Sequence, residues 1–347
     1  MQIRPKGKST ADGENEAVGL QYKKIGSLLM EHNALVILVI LCIVSTIISP
    51  LFLTSGNIFN LLRQQSTYMV IAIGLLAVML TGGIDLSVSS IAAVGGIMAV
   101  IPITQWGYET GLGLFWAIVI GLGCSVAIGA FNGVLVSYLN MPAFIVTLAT
   151  WFSIQGVAFI LTNGAPILMD FSVPSSSMLI YFGEKSDPVF GIPYPVILAA
   201  AVVILFYFIM HHTSFGRIVT AIGSNETAAY LAGINVKRYK FLVYVICGLL
   251  SGVAGVIILA RSGSATPLTA AADYNLSAIA GVVIGGCSLT GGEGTVLYTV
   301  VGVFVIAVIG NIMNLMSLAA YPQMIVKGLI IILAVLLRSA TSKSMAS

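Results

Sequence analysis

Long apolar runs that carry almost no charge recur along this chain from residue 34 onward. Of its 347 residues, 58% are hydrophobic and only 8% are charged, whereas a soluble domain carries about a quarter charged residues. Such a chain cannot cover a globular surface with polar groups, and its apolar runs approach the ~20 residues that a helix needs to cross a bilayer. The 37 glycines indicate helices that pack closely in lipid. The sequence therefore predicts an all-α polytopic membrane protein.

Lys and Arg are distributed unevenly between the polar segments, and this sets the expected orientation. They are concentrated in the two tails and in residues 213–240, whereas the loop 163–195 is net acidic. Short basic segments stay on the cytoplasmic side of a membrane. The apolar runs give about five spans before the acidic loop and about ten altogether. An odd number before the loop and an even number in total put both tails on one side of the membrane and the acidic loop on the other, which agrees with this placement. We therefore predict about ten transmembrane helices with cytoplasmic N and C termini.

The predicted organisation is a transmembrane domain between two polar tails. A cytoplasmic tail covers residues 1–33, the transmembrane domain covers 34–338, and a C-terminal tail covers 339–347. Within the transmembrane domain, we expect residues 213–240 in the cytoplasm and the loop 163–195 in the periplasm.

Two of the apolar runs are short for a membrane span. Ser66–Leu80 follows residues 54–65, a polar stretch that we expect to lie along the outer interface, and Leu276–Leu289 follows a polar loop. Each run could cross the membrane or re-enter it from one side, and both alternatives remain open.

The two short runs also carry similar sequences. Residues 72–85 read AIGLLAVMLTGGID and residues 280–293 read AGVVIGGCSLTGGE, and an apolar run follows each. A duplicated pair of short or broken helices is typical of transporters built from internal repeats, and it points to the pathway or gating region. The simpler interpretation is a pair of tight turns between helices.

Asp85 lies beside the first of these breaks, where an ionisable group is costly and is a functional candidate by default. It could be a proton or cation site, a substrate-binding acid or a helix cap. It precedes an apolar helix, so its carboxylate can accept from free backbone N–H groups and complement the helix dipole. The equivalent acid in the second copy favours such a shared structural role. The candidate break and cap residues are Gly82, Gly83, Asp85, Gly291, Gly292 and Glu293.

Polar and aromatic side chains inside the apolar runs are candidates for a substrate pathway. Amides within spans usually bond neighbouring helices, and a minority line a polar pathway. Hydroxyl and amide groups on one helix could face a neutral polyol, and an aromatic ring could stack on it, although packing is the commoner role for such a ring. The candidate pathway residues are Asn132, Phe144, Thr147, Gln155 and Asn311.

The sequence contains no recognisable catalytic or metal-binding pattern. It has no P-loop, HExxH or GxSxG motif and no paired nucleophile and base. The four cysteines lie in or beside apolar runs without a CxxC or a His cluster, which is typical of small packing residues. We therefore expect no catalytic residue, no metal site and no nucleic-acid partner.

Residues 213–240 form the one long polar break in the second half of the chain. This stretch carries Arg217, Lys237, Arg238 and Lys240 against the single acid Glu226. Ser224-Asn225-Glu226 can cap a short helix, whose apolar face would consist of Ala228, Ala229 and Leu231.

Several motifs occur in an order that resembles one known family. They are LTGGIDLSVSS at 80–90, NGVLV at 132–136, PAFIVTLAT at 142–150, the segment from FGR to AIGSNETAA at 215–229, and GCSLTGGEGT at 286–295. From about residue 51 to 337, the chain resembles the membrane permease subunits of ribose/galactose/arabinose-type bacterial ABC importers. Departures are small: Ser89 and Ala149 stand where family members often have glycine, and Cys287 replaces a usual Gly or Val.

The resemblance implies a multi-pass protein of the bacterial inner membrane that works with partners. It implies a permease dimer, expected here as a homodimer, with cytoplasmic ATPase subunits below and a periplasmic sugar-binding protein above. ATP and Mg would be bound by the ATPase, and this chain would bind no cofactor. The segment 215–234 would be the coupling helix in a groove of the ATPase. The expected ATPase-coupling residues are Arg217, Gly223, Ser224, Asn225, Glu226, Ala228, Ala229 and Gly233.

The function that the resemblance implies is translocation of a pentose or hexose delivered by the binding protein. A neutral hydrophilic substrate suits spans with so few charges. Permeases for nucleosides or branched-chain amino acids share this architecture, so the solute stays open. The competing class is an ion-coupled secondary transporter with Asp85 and Glu293 as ion sites.

Overall fold

The fold is built almost entirely of α-helices. The computed structural model describes residues 33–332 except 272, 320 and 331. Within these described residues, seven helices are long and apolar enough to cross a membrane, which confirms the predicted all-α polytopic class. The count of about ten spans and the cytoplasmic termini stay predictions, because both tails, apart from Asn33, lie outside the described residues.

Short connections join the helices, and some contain small elements of their own. In chain order the helices are α1 (Asn33–Ile48), α2 (Ser55–Leu80), α3 (Val88–Gln105), α4 (Gly111–Ser137), α5 (Ala143–Leu161), α6 (Pro174–Glu184), α7 (Tyr194–His212), α8 (Ser214–Ser224), α9 (Glu226–Leu231), α10 (Val236–Ser262), α11 (Tyr274–Ile284) and α12 (Val296–Leu315). Residues 321–330 are helical as well. Strands β1 (Ile167–Leu168) and β2 (Ser264–Ala265) pair antiparallel.

Residues 54–65 are not a separate stretch before the apolar run, and their place along the outer interface stays a prediction. α2 is one continuous helix of 26 residues, about 39 Å long at 1.5 Å per residue, and Thr54 caps it by accepting a hydrogen bond from Asn57 N at 3.4 Å. Its first half is polar, yet Arg63, Gln64 and Gln65 are half-buried among other helices. Because these side chains face protein, the apolar run alone underestimates the length of the helix.

The second short run behaves differently from the first. α11 has only 11 residues, about 16 Å, which is about half of the ~30 Å hydrocarbon core. α2 is therefore long enough to cross a bilayer and α11 is not. The two copies of the repeat share their glycine break but not the length of the helix before it.

The loop 163–195 is more ordered than its Pro, Ser and Gly content predicts. It contains β1 and the 11-residue α6, which packs against α10, α4 and α7. Pro174 opens α6 at a position where a helix tolerates the missing N–H. The loop thus covers one end of the helix bundle.

α10 lies at the centre of the packing and contacts α2, α3 and α4. Its contact with α4 is made backbone to backbone: a Cβ placed on Gly129 would lie 2.9 Å from the Cα of Gly248 and 2.6 Å from the carbonyl oxygen of Tyr244. Glycine on both helices therefore allows this approach, as the glycine content of the sequence indicates.

Candidate functional site

The polar segment 213–240 folds into two short helices that meet at Asn225. Thr213 begins α8 by accepting from Phe215 N at 3.2 Å. Asn225 ends α8, because its N–H donates to Ala221 O, and it also caps α9 by accepting from Ala228 N at 2.9 Å. The cap at Ser224-Asn225-Glu226 is thus where the sequence predicts it, although one short helix was expected and the structure has two.

α9 presents a small apolar surface that differs from the predicted one. Ala229 is only 5% exposed and packs with Ile222 and Val236, so it faces its own chain. Tyr230 and Leu231 are 71% and 78% exposed. Tyr230 was not among the residues predicted for this surface, because a helix of six residues is too short for its hydrophobic pattern to show which side faces outward.

The ends of α9 are fixed by local contacts. Glu226 forms an ion pair with Lys240 of α10, with 2.6 Å between Oε2 and Nζ; such exposed pairs contribute about 0–1 kcal/mol. Lys240 thus pairs within the chain. At the other end, Gly233 has a φ of 82° and its N–H donates to Tyr230 O at 2.9 Å, which is the usual glycine ending of a helix.

The last turn of α8 makes direct backbone contact with both repeat breaks. Gly292 N donates to Leu80 O at 3.0 Å, which joins the second break to the first. A Cβ on Gly223 would lie 1.8 Å from Leu80 O and 2.4 Å from Gly292 N. A Cβ on Gly292 would lie 2.8 Å from Ser224 N. We call this meeting of residues 80–83, 223–224 and 290–292 the three-way junction.

Glycine is required at the junction by conformation as well as by space. Gly82, Gly291 and Gly292 all have positive φ, at 76°, 92° and 78°, a region that other residues rarely adopt. Gly83 has a different reason to be glycine, since a Cβ there would lie 2.6 Å from the hydroxyl of Tyr244. Glu293 closes the second break through its carbonyl oxygen, which accepts from Ser288 N at 2.8 Å.

Asp85 is fully buried just after the first break. Its Oδ1 accepts from the backbone N of Ser87 at 2.8 Å and from the Ser87 hydroxyl at 2.5 Å. Ser87 is the residue that precedes α3 and makes no side-chain cap of its own. The carboxylate thus forms an Asx-turn just before α3, while its buried Oδ2 has no hydrogen-bond partner among the described residues; the capping role stays a prediction.

Two pathway candidates belong to the same buried polar network as Asp85. Asn132 Nδ2 donates to Ser87 Oγ at 2.9 Å, and Asn132 Oδ1 accepts from Thr150 Oγ1 at 2.6 Å. Thr147 Oγ1 donates to Ile84 O at 3.0 Å. Neither Asn132 nor Thr147 has any exposed surface. In this conformation they join the break, α4 and α5, and they face no open space.

The other three pathway candidates lie elsewhere. Phe144 is exposed on the outside of α5, and Gln155 is half-buried further along that helix. Asn311 of α12 exchanges two hydrogen bonds with Asn57 of α2, at 3.0 and 2.8 Å. It lines a polar cavity between these helices. The structure therefore does not bring the five candidates into one lining.

Arg217 lies beside a second, larger cavity under α8. This cavity has a volume of about 450 Å³ and lies between α8, α2 and the start of α12. Its lining combines Leu76, Leu80 and Val296 with polar side chains from α8. On either side of this space α8 contacts the transmembrane helices: at its start a Cβ on Gly216 would lie 2.0 Å from Met210 O of α7, and at its last turn the three-way junction forms.

Comparison with known proteins identifies the group to which this architecture belongs. A family profile described as "Branched-chain amino acid transport system / permease component" matches residues 57–335. The chain is 40% identical over 308 residues to the ribose import permease protein RbsC of Escherichia coli K12, over 89% of this chain and 93% of that protein. RbsC of Haemophilus influenzae is 38% identical over 323 residues, or 93% and 96% of the two chains.

A relative with another sugar in its name is also similar. The L-arabinose transport system permease protein AraH of E. coli K12 is 34% identical over 308 residues, covering 88% of this chain and 89% of that protein. No solved structure matches the chain. Since the profile spans most of the sequence and these relatives match nearly end to end, the chain belongs to the family of branched-chain-amino-acid-type transport permease components and is a multi-pass membrane transport subunit.

Proposed function

We propose that this chain is the transmembrane permease subunit of an ATP-binding-cassette importer that carries a pentose or hexose across the bacterial inner membrane. A periplasmic binding protein delivers the sugar, and a separate cytoplasmic ATPase binds and hydrolyses ATP with Mg. Two copies of the chain form the pathway. The observation that carries the proposal is the three-way junction, which connects the exposed helix pair α8 and α9, proposed to lie in the cytoplasm, to both glycine breaks.

The identity of the solute is supported by the relatives and by the charge of the spans. Proteins similar over nearly the whole chain are named for ribose and arabinose. Transmembrane segments with so few charges suit a neutral solute, which needs hydroxyl and amide partners and no counter-ion. We therefore propose a pentose before a hexose.

Coupling to the ATPase is proposed to run through α9 and α8. Tyr230 and Leu231 project from α9, and exposed aromatic and aliphatic side chains are typical anchors in a partner groove. A displacement of α9 passes to α8 through Asn225. It then reaches Leu80 and Gly292, because the junction has no side chain between the three backbones that could absorb it.

Asp85 and Glu293 are proposed as structural residues of the breaks. The Asp85 carboxylate is engaged by Ser87, as a cap requires. This favours an ATP-driven importer over an ion-coupled transporter, in which these acids would bind the ion.

The test is uptake by the permease reconstituted in liposomes with its ATPase and binding protein. We expect uptake of D-ribose, D-xylose, L-arabinose or D-galactose that requires enclosed ATP and the binding protein and is unaffected by a protonophore. Leucine and uridine serve as solutes of the neighbouring permease classes. Uptake that persists without the ATPase and stops with the protonophore would identify a secondary transporter.

A further inference from the structure

A small polar cavity lies at the end of the molecule opposite the three-way junction. It has a volume of about 100 Å³ and lies between α2, α11, α12 and the helical residues 321–330. Its polar lining residues include Gln64, Gln65, Asn311, Asn314, Gln323 and Lys327. We call it the amide cavity.

The position of the amide cavity follows from helix lengths. Along α2, Gln64 lies sixteen residues before Leu80, which is about 24 Å at 1.5 Å per residue. Along α12, Asn311 lies fifteen residues after Val296, about 22 Å. Both helices start or end at the junction, so the cavity lies beyond the middle of a ~30 Å hydrocarbon core. It opens on the half of the protein away from α8 and α9.

The lining supplies both hydrogen-bond donors and acceptors. Each amide offers two N–H donors and an oxygen that can accept twice, and Gln323 Nε2 already donates to Asn314 Oδ1 and to Leu318 O, both at 2.9 Å. The side-chain amides of Gln64 and Gln65 make no hydrogen bond to any residue that the structure describes. Lys327 is paired with Asp273 at 2.8 Å. A lining of this composition matches hydroxyl groups, which both donate and accept, better than it matches an ion.

The size of the cavity suits part of a small polyol. At about 30 Å³ per water molecule, the volume of about 100 Å³ corresponds to about three waters, which is room for the hydroxyl groups along one edge of a sugar ring. Tyr68 adds an aromatic ring to the lining and packs against Tyr274 with 4.9 Å between ring centroids. Aromatic faces next to polar groups suit the mixed surface of a sugar ring.

Polar residues between membrane helices commonly serve only to hold the helices together, and the network around Asp85 is an example. There the hydrogen bonds pass directly from Asp85 through Ser87 and Asn132 to Thr150, and all four residues are buried. The amide cavity differs because its polar groups surround open space and two glutamines remain without a described partner. That difference favours a ligand site.

We propose that the amide cavity binds a neutral polyhydroxyl substrate in the half of the permease that faces the binding protein. The inference rests on the proposed function, because it assigns a place on the pathway to the sugar named there. The proposed pathway residues are therefore those of the amide cavity, which line open space. Asn132 and Thr147 are buried and hydrogen-bonded within the protein, and they are no longer proposed for the pathway.

The test uses the complete importer in liposomes and the same four sugars as probes. Gln64→Ala and Gln323→Ala each remove about one hydrogen bond, so we expect each to lower uptake about fivefold and to change the relative rates of the sugars by about threefold. ATP hydrolysis stimulated by the sugar-loaded binding protein should stay within about twofold of wild type, because the junction is untouched. Gln64→Asn, which keeps an amide, should recover part of the uptake.

The matched control is Gln105→Ala, which removes an exposed glutamine from the last turn of α3 and should leave uptake unchanged. Wild-type relative rates in both cavity variants would overturn the inference. A parallel loss of uptake and stimulated ATP hydrolysis with unchanged sugar ratios would also overturn it, by assigning the glutamines to helix packing. Wild-type protein that carries none of the four sugars would instead contradict the proposed function itself.

Discussion

Single residues decide whether the parts of this permease can touch. At Gly223 the absent side chain is the essential property, since its Cα lies against Leu80 O and Gly292 N with no room for a methyl group. At Asn225 the side chain matters, because its Oδ1 caps α9, while its backbone N–H closes the last turn of α8 on Ala221 O. The capping role of Asn225 could be predicted from the sequence, because a helix cap is a local pattern. Gly223 was predicted only through the family resemblance, because its contact with Leu80, about 140 residues away in the chain, leaves no local signal.

Substitution of Gly223 by alanine should uncouple the permease. A Cβ at 1.8 Å from Leu80 O forces the backbones apart, and overpacking of this kind costs about 1–3 kcal/mol. We expect a lower melting temperature of the purified importer and at least tenfold lower ATP-dependent uptake. Gly156→Ala is the matched control, because no atom lies within 4 Å of a Cβ at that helical glycine. Equal behaviour of the two variants would show that the junction is not tightly packed.

Among the helices, the glycine breaks could be predicted from the sequence, whereas the length of α2 could not. The LTGG motif located both breaks, because glycine-rich interruptions in apolar runs are visible locally. The length of α2 was not predicted because Gln64 and Gln65 are typical of an interfacial stretch, although in the fold they are half-buried and line a cavity with α12 and residues 321–330. Polar residues inside a bundle look like loops until their neighbours are known.

α9 is the element expected to bind the ATPase. Replacing both Tyr230 and Leu231 by serine removes its exposed apolar side chains, and each interface anchor contributes about 2 kcal/mol or more. We expect binding of the purified ATPase to the permease to weaken by at least a hundredfold, while the melting temperature of the permease alone stays the same. Leu112→Ser provides a control, since that leucine is equally exposed at the start of α4. Unchanged ATPase affinity in the double variant would exclude α9 as the docking element.

At the scale of the whole molecule, the two segments that carry the similar glycine breaks differ in helix length. α2 is long enough to cross a membrane and to contribute to both the junction and the amide cavity, whereas α11 covers about half that distance. Similar sequences at the two breaks predicted similar structures, but only the turns that carry the LTGG motif are alike. The lengths of α2 and α11 depend on residues outside the motif, so comparing the two motifs does not predict them.

The predicted orientation can be tested by labelling from one side. Ala165→Cys lies in the exposed acidic loop and Thr227→Cys lies on exposed α9. In intact spheroplasts, a membrane-impermeant maleimide should modify the first variant, and should reach the second only after permeabilisation. The wild-type protein measures the background from its four cysteines. Labelling of Thr227→Cys from outside would reverse the topology proposed here.

The junction is made of main-chain atoms and glycines, whereas the surface of α9 is made of side chains. The six residues of α9 are bounded by Asn225 and by Gly233, around whose Cβ position no atom lies within 4 Å. The partner-facing chemistry can therefore vary without any change at the junction. If α9 binds the ATPase as proposed, we expect exchange of Glu226–Leu231 between permeases to redirect a transporter to a different ATPase and to leave its solute selectivity intact, so that partner choice and cargo choice evolve separately in one chain.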